Sequence, residues 1–187
     1  MLGKYISQCG LFIDAELNFL GATSNGLIDD DGIVEIKCPS SAKNMTPEEA
    51  ILAKKFTFWK VTKTGEIGSV NENHNFYFQI QGQLLITHRK YCEFALWTPK
   101  GLKLQHIEKN DQLWNEKMKM KLEMFYMNCM LPELIDPRHT RTMVIRDPAY
   151  ILQAQKLENK NKFISKIFIY LIHYLFYYFI FVIINFI

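Results

Sequence analysis

Glu35 and Lys37 lie two positions apart in the run Gly32-Ile33-Val34-Glu35-Ile36-Lys37-Cys38-Pro39. The run is largely β-branched and apolar, which reads as a strand, and on a strand alternate side chains share a face. Glu35 and Lys37 therefore project together, while Val34 and Ile36 take the other side. A carboxylate can hold a hard divalent cation, and an ammonium beside it can orient a water or steady a phosphate oxygen. These groups could support metal-dependent hydrolysis. Two polar residues on one face also describe any half-solvated strand, so the surroundings must decide between the two readings.

Several elements must position the pair. Residues 9–38 read as a short β-meander, with turn residues at Gly21-Ala22-Thr23-Ser24-Asn25-Gly26 and a hairpin tip at Asp29-Asp30-Asp31-Gly32. Pro39-Ser40-Ser41 breaks the sheet. Thr46-Pro47-Glu48-Glu49 then predicts a capped helix running to about Lys55. Residues 56–72 carry Gly65 and Gly68 and read as a loop or hairpin excursion. A second helix is expected from Asn75 to about His88, with Phe76, Gln79 and Gln83 on one face at spacings of three and four. Tyr91–Trp97 and Leu102–Ile107 read as strands around the turn Thr98-Pro99-Lys100-Gly101. A long helix follows from Asp111 to Met130, with Trp114, Met118, Leu122, Phe125 and Cys129 as its core stripe. A short polar helix is expected over Pro148–Glu158. This order predicts an α/β fold with a mixed sheet flanked by helices.

The length of 187 residues allows one domain with a proper core, here residues 1–158. With 49% apolar and 22% charged residues, the composition is that of a globular protein, and the net charge of +3 neither requires nor excludes a nucleic-acid partner. Cys9, Cys38, Cys92 and Cys129 show no paired spacing and read as reduced, mostly buried thiols of an intracellular protein. Residues 159–187 differ in composition, and Ile167–Ile187 is a 21-residue run without Asp, Glu, Lys or Arg. This hydrophobic C-terminal helix is long enough to cross a bilayer as a tail anchor behind Lys156, Lys160, Lys162 and Lys166. It equally suits translated non-coding sequence, because its residue types are those supplied by A/T-only codons.

Three blocks resemble one family: Leu20-Gly21-Ala22-Thr23-Ser24-Asn25-Gly26-Leu27, Glu35-Ile36-Lys37-Cys38-Pro39 and Gln79-Ile80-Gln81-Gly82-Gln83-Leu84. In order and spacing they are similar to the YqaJ-type viral recombinases, the lambda-type alkaline exonucleases of the PD-(D/E)XK nuclease superfamily. Cys92-Glu93-Phe94, Trp97-Thr98-Pro99-Lys100-Gly101 and Leu131-Pro132-Glu133-Leu134 resemble its eukaryotic, transposon-derived branch. The resemblance implies a restriction-endonuclease-like mixed sheet that grips the end of linear double-stranded DNA. It also implies phosphodiester hydrolysis with Mg²⁺ or Mn²⁺. By position, Glu35 and the Ile36 carbonyl would bind the metal, Lys37 would orient or deprotonate the water, and Gln79 would help hold water or phosphate.

Two departures bear on activity. Ten residues before Glu35 the family carries a second metal-binding aspartate, where this chain has Asn25. An amide oxygen can still ligate there, but one negative charge is missing. The family also places a helix with a further acidic ligand upstream, and only eight residues precede Cys9, so that helix is expected to be missing. Lys43, His88, Arg89 and Lys90 are candidate contacts to DNA phosphates, although basic residues closing the second helix also suit its dipole. Arg138, Arg141 and Arg146 form a further basic stretch. Together these features imply a degenerate exonuclease domain, with an inactive DNA- or protein-binding pseudo-nuclease and a tail-anchored membrane protein as the alternatives.

Overall fold

The computed structural model describes residues 5–160. The described residues divide into two compact units, which part between Asp111 and Gln112.

The first unit is organised by a five-stranded sheet of order β1-β4-β5-β8-β9. Its strands are β1 (Ile6–Ser7), β4 (Gly26–Ile28), β5 (Gly32–Lys37), β8 (Tyr91–Thr98) and β9 (Gly101–Glu108). The intervening labels belong to two small hairpins, β2 (Phe12–Ile13) with β3 (Gly21–Ala22), and β6 (Trp59–Val61) with β7 (Ile67–Val70). β4 and β5 are antiparallel across the expected acidic tip, with Gly26 opposite Val34 and Ile28 opposite Gly32. Asp29 takes φ +48° there, a left-handed conformation that aspartate tolerates better than most residues. β5 and β8 run parallel, from Gly32 opposite Tyr91 to Lys37 opposite Leu96. A parallel pair needs a long crossover, which residues 38–90 supply.

That crossover contains helix α1 (Pro47–Leu52), the β6–β7 hairpin and helix α2 (Asn75–Ile86). The capping box at α1 is present in full: the Glu49 N–H donates to Thr46 Oγ1, and the Thr46 N–H donates to Glu49 Oε2. α1 ends earlier than expected, at Leu52, as Ala53 and Lys54 leave the helical range and Lys54 adopts φ +52°. The core joins Ile33, Ile51, Phe58, Trp59, Val70, Ile80, Leu84, Cys92, Phe94, Leu96 and Ile107. The expected mixed sheet with packed helices is thus present. Trp97 is 46% exposed, opposite the similarly open Leu102 at the far end of the β8–β9 pair. Of the four cysteines only Cys92 is buried, and Cys38 is exposed.

In the second unit, residues 112–135 are helical but uneven, with π turns at Trp114–Met118 and Tyr126–Met130. Trp114, Met118 and Leu122 are buried as the stripe predicts, whereas Phe125 and Cys129 are half-buried. A π turn closes on the fifth residue, which shifts later members of a regular stripe off one line. Pro132 sits inside the helical run at the start of Leu131–Ile135, where its missing N–H costs least. A last helix covers Ala149–Lys160. Residues 161–187, which hold the hydrophobic C-terminal helix expected from the sequence, lie outside the described residues. Among the described residues no helix is long and apolar enough to cross a membrane.

Candidate functional site

β5 delivers Glu35 and Lys37 to the same face of the sheet, as their alternation requires. Lys37 Nζ lies 2.7 Å from Glu35 Oε1, so the pair is a direct, largely buried ion pair. α2 lies alongside and adds two amides from successive turns. Gln79 Nε2 donates to Glu35 Oε1 at 3.1 Å, and Lys37 Nζ donates to Gln79 Oε1 at 3.1 Å. Gln83 Nε2 donates to Glu35 Oε2 at 3.0 Å and to the Thr23 carbonyl at 2.8 Å. Both carboxylate oxygens of Glu35, itself only 5% exposed, are therefore held by donors. The spacing of four between Gln79 and Gln83 makes this possible, since such residues stack on one helix face.

The expectation named Gln79 and not Gln83 as a site residue, yet Gln83 is the more buried of the two at 1% exposure. The signal was available, because Gln83 shares the helix face of Phe76 and Gln79. Gln83 Oε1 is the one buried side-chain polar atom among the described residues that lacks a hydrogen-bond partner.

The start of α2 closes the other side of Lys37. The ammonium sits 4.2 Å from the centroid of the Phe76 ring, a cation–π contact. His74 caps the helix by accepting the Phe76 N–H at Nδ1. Burial, and then the nearby Lys37 charge, lower its pKa, which suits an imidazole nitrogen that must stay unprotonated to accept. Beneath the pair, burial pushes the Cys92 thiol well above its ordinary range, with the Glu35 carboxylate adding to the effect. Cys92 is an inert core thiol.

Asn25, at the position where the sequence resemblance expects a second carboxylate, lies beside β5. Its Oδ1 accepts the Ile36 N–H at 2.7 Å, and its own N–H donates to the Val34 carbonyl at 3.0 Å. The amide thus imitates a backbone carbonyl and extends the β4–β5 ladder beside Glu35. Asn25, Glu35, Ile36, Lys37 and Gln79 all meet at the C-terminal end of β5.

The expected phosphate contacts do not gather there as a set. Lys43 is exposed just after the short 3₁₀ turn Ser40–Ala42 that follows β5. Arg89 and Lys90 serve the opposite end of the strand. Arg89 Nη1 donates to the Asp29 carbonyl at 2.6 Å, and Lys90 Nζ pairs with Asp31 at 3.0 Å. They clamp the acidic turn, with His88 exposed in a left-handed conformation beside them. In the second unit Arg141 and Arg146 are ion-paired with Asp136, and Arg146 also approaches Glu133 Oε1 at 3.3 Å.

A divalent cation at this site would draw on Glu35, the Ile36 carbonyl and the Asn25 amide oxygen. Glu35 is the only anion of that set, and its charge is already balanced by Lys37. Asn25 Oδ1 is committed to the ladder. Among the described residues no group of three or more His, Cys, Asp or Glu is placed to hold a metal. As built, the donor set does not fit a tightly held Mg²⁺ or Mn²⁺, which favours several hard anionic oxygens.

The sequence profile of the YqaJ-like viral recombinase domain matches residues 3–90. Among solved structures, the chain is similar to an alkaline exonuclease (LHK-Exo) from Laribacter hongkongensis. The TM-score is 0.50 at 21% identity, over 67% of this chain and 57% of that one. LHK-Exo in complex with dAMP aligns with a TM-score of 0.45 at 20% identity, over 67% of this chain and 63% of that one. This chain thus spans little more than half the length of the exonuclease that it matches. No curated protein matches. The likeness to LHK-Exo shows a shared fold, and residues 3–90 are similar to the YqaJ-like viral recombinase domain.

Proposed function

We propose that this chain is a degenerate DNA exonuclease domain that engages DNA through a nuclease-type site and hydrolyses it poorly. The family and the alkaline-exonuclease fold support DNA as the ligand class. One observation carries the degeneracy: Asn25, bonded to the Ile36 N–H, stands where a second anionic oxygen would meet a cation beside Glu35. In the Glu35–Lys37 pair the two charges cancel, and the glutamines hold the carboxylate in place. The geometry of a hydrolytic site is kept, while the negative charge that concentrates a divalent ion is not.

Asn25→Asp tests this reading directly. An aspartate can accept the same Ile36 N–H with one oxygen and offer the other to a cation. A unit charge about 4 Å from another is worth about 4 kcal/mol in a partly solvated site. Metal affinity is therefore expected to rise at least about tenfold. The measurement is Mn²⁺-dependent degradation of linear duplex DNA, together with the Mn²⁺-induced rise in Tm. Wild type is expected to show little of either, Asn25→Asp to gain both, and Asn25→Asp/Glu35→Ala to lose them again. Rapid digestion by wild type, abolished by Glu35→Ala and unchanged by Asn25→Asp, would refute degeneracy and make the chain a working exonuclease.

A further inference from the structure

Four lysines, Lys54, Lys55, Lys60 and Lys63, fall within ten residues, and all four are exposed. Residues 54–65 contain no aspartate or glutamate. Among the described residues none of the four enters an ion pair, whereas Lys37, Lys90, Lys103 and Lys109 each have a carboxylate partner. With Glu66 across the hairpin turn as the nearest acid in sequence, four lysines without an ion pair leave a local positive charge that an anionic ligand would meet.

The fold holds these charges on two adjoining elements. Lys54 and Lys55 close α1, where their N–H groups donate to the Ile51 and Ala50 carbonyls. Lys60 faces outward on β6 between the buried Trp59 and the half-buried Val61. Lys63 lies at the hairpin tip, which turns through Gly65 at φ +84°. α1 packs against both strands of that hairpin.

The hairpin is braced within itself and to β9, and its base packs on the Phe76 ring of the candidate site. Trp59 Nε1 donates to the Gly68 carbonyl at 2.9 Å, and the Val70 N–H donates to Gln105 Oε1 at 2.8 Å. The Phe58 ring lies 5.1 Å from Phe76, the ring over which Lys37 sits. The lysines therefore stand on a braced arm rooted beside Glu35 and Lys37.

We propose that the β6–β7 hairpin and the end of α1 form a grip for the phosphate backbone of duplex DNA, leading the strand towards the Glu35–Lys37 site. The proposal rests on the reading of the domain as one that engages DNA. Duplex DNA presents one negative charge per roughly 1.7 Å of axis, so several of these lysines can contact phosphates at once.

The test is fluorescence anisotropy with an end-labelled linear duplex in EDTA, so that cleavage plays no part. Lys60→Glu/Lys63→Glu is compared with Lys117→Glu/Lys121→Glu, which makes the same change in net charge on exposed lysines of the second unit. The hairpin variant is expected to bind at least about tenfold more weakly. Its plot of log Kobs against log salt is expected to flatten by about two units, since each lost phosphate contact removes about 0.9. The control variant is expected to lie within about threefold of wild type. If the hairpin variant is misfolded by circular dichroism, Lys60→Gln/Lys63→Gln replaces it, with a flattening of the same size expected. Equal weakening by both variants, unchanged binding by the hairpin variant, or no binding by wild type would each overturn the proposal. Fast Mn²⁺-dependent digestion by wild type would instead sink the degenerate reading and leave the grip intact.

Discussion

Two amides flank the buried Glu35 carboxylate. Asn25 accepts the Ile36 N–H beside it, while Gln83 holds one of its oxygens. Gln83 donates to both Glu35 Oε2 and the Thr23 carbonyl from a position closed to water, so each acceptor depends on it. Gln83→Leu keeps the volume and removes the donors, leaving a carboxylate oxygen and a carbonyl without their partner in the interior. The expected loss of stability is about 1–3 kcal/mol by urea denaturation, the cost of leaving buried acceptors unsatisfied. Gln79→Leu is expected to cost less, because Lys37 still contacts Glu35 Oε1 directly and this amide is only half-buried. Equal stability of Gln83→Leu and wild type would show that Glu35 does not depend on that amide. Both glutamines could be read from the sequence as one helix face. The commitments of Arg89 and Lys90 could not, because their partners are the backbone and side chains of a turn some sixty residues earlier in the chain.

At the scale of elements, β5, α1, α2 and the β8–β9 hairpin were legible because each carries a local rule: alternation, a capping box, an amphipathic spacing or a Pro-Gly turn. β1, β2 and β3 were not, since two-residue strands are defined by backbone pairing across the chain and leave no side-chain period. The β8–β9 pair adds a charge arrangement that only the register reveals. Glu93 lies opposite His106, whose Nδ1 is 2.9 Å from Glu93 Oε1 and whose Nε2 is 2.8 Å from Glu108 Oε1. Its ring stacks on Tyr91 at 4.8 Å. The hydrogen bonds that the protonated ring donates to Glu93, and then to Glu108, raise the His106 pKa above its ordinary value. A raised folded-state pKa stabilises the fold fully below the unfolded value of about 6.5, and this contribution is lost as pH rises through the folded value. Wild type should therefore exceed His106→Gln in stability at pH 6, and the gap should narrow steadily towards pH 9. Denaturation at each pH measures the gap; a gap that is constant with pH would remove the imidazolium from the account.

The molecule as a whole joins two units with very different interiors. The first buries a continuous set of large apolar side chains around β5, β8 and α2, including Ile33, Ile80, Leu84, Phe94 and Leu96 at 0% exposure. In the described part of the second, the buried apolar residues are Trp114, Met118, Leu122 and Ile151, while Met120, Met127, Leu134, Ile135, Val144 and Leu157 are open. Burial of apolar surface is the main favourable contribution to folding, at about 25 cal/mol per Å². Local opening is therefore expected to be easier in the second unit than in the first. Its helices also contain two π turns, a rare departure from regular helical bonding. Native-state hydrogen exchange should find the slowest amides in β5, β8 and α2, with those of 112–135 and 149–160 exchanging at least about tenfold faster. Under mild denaturant the fast group should merge with the slow one only near the global transition. Equal protection in both groups would mean that the chain opens as a single cooperative body. The rigidity of the Glu35–Lys37 site would then depend on the second unit as much as on its own sheet.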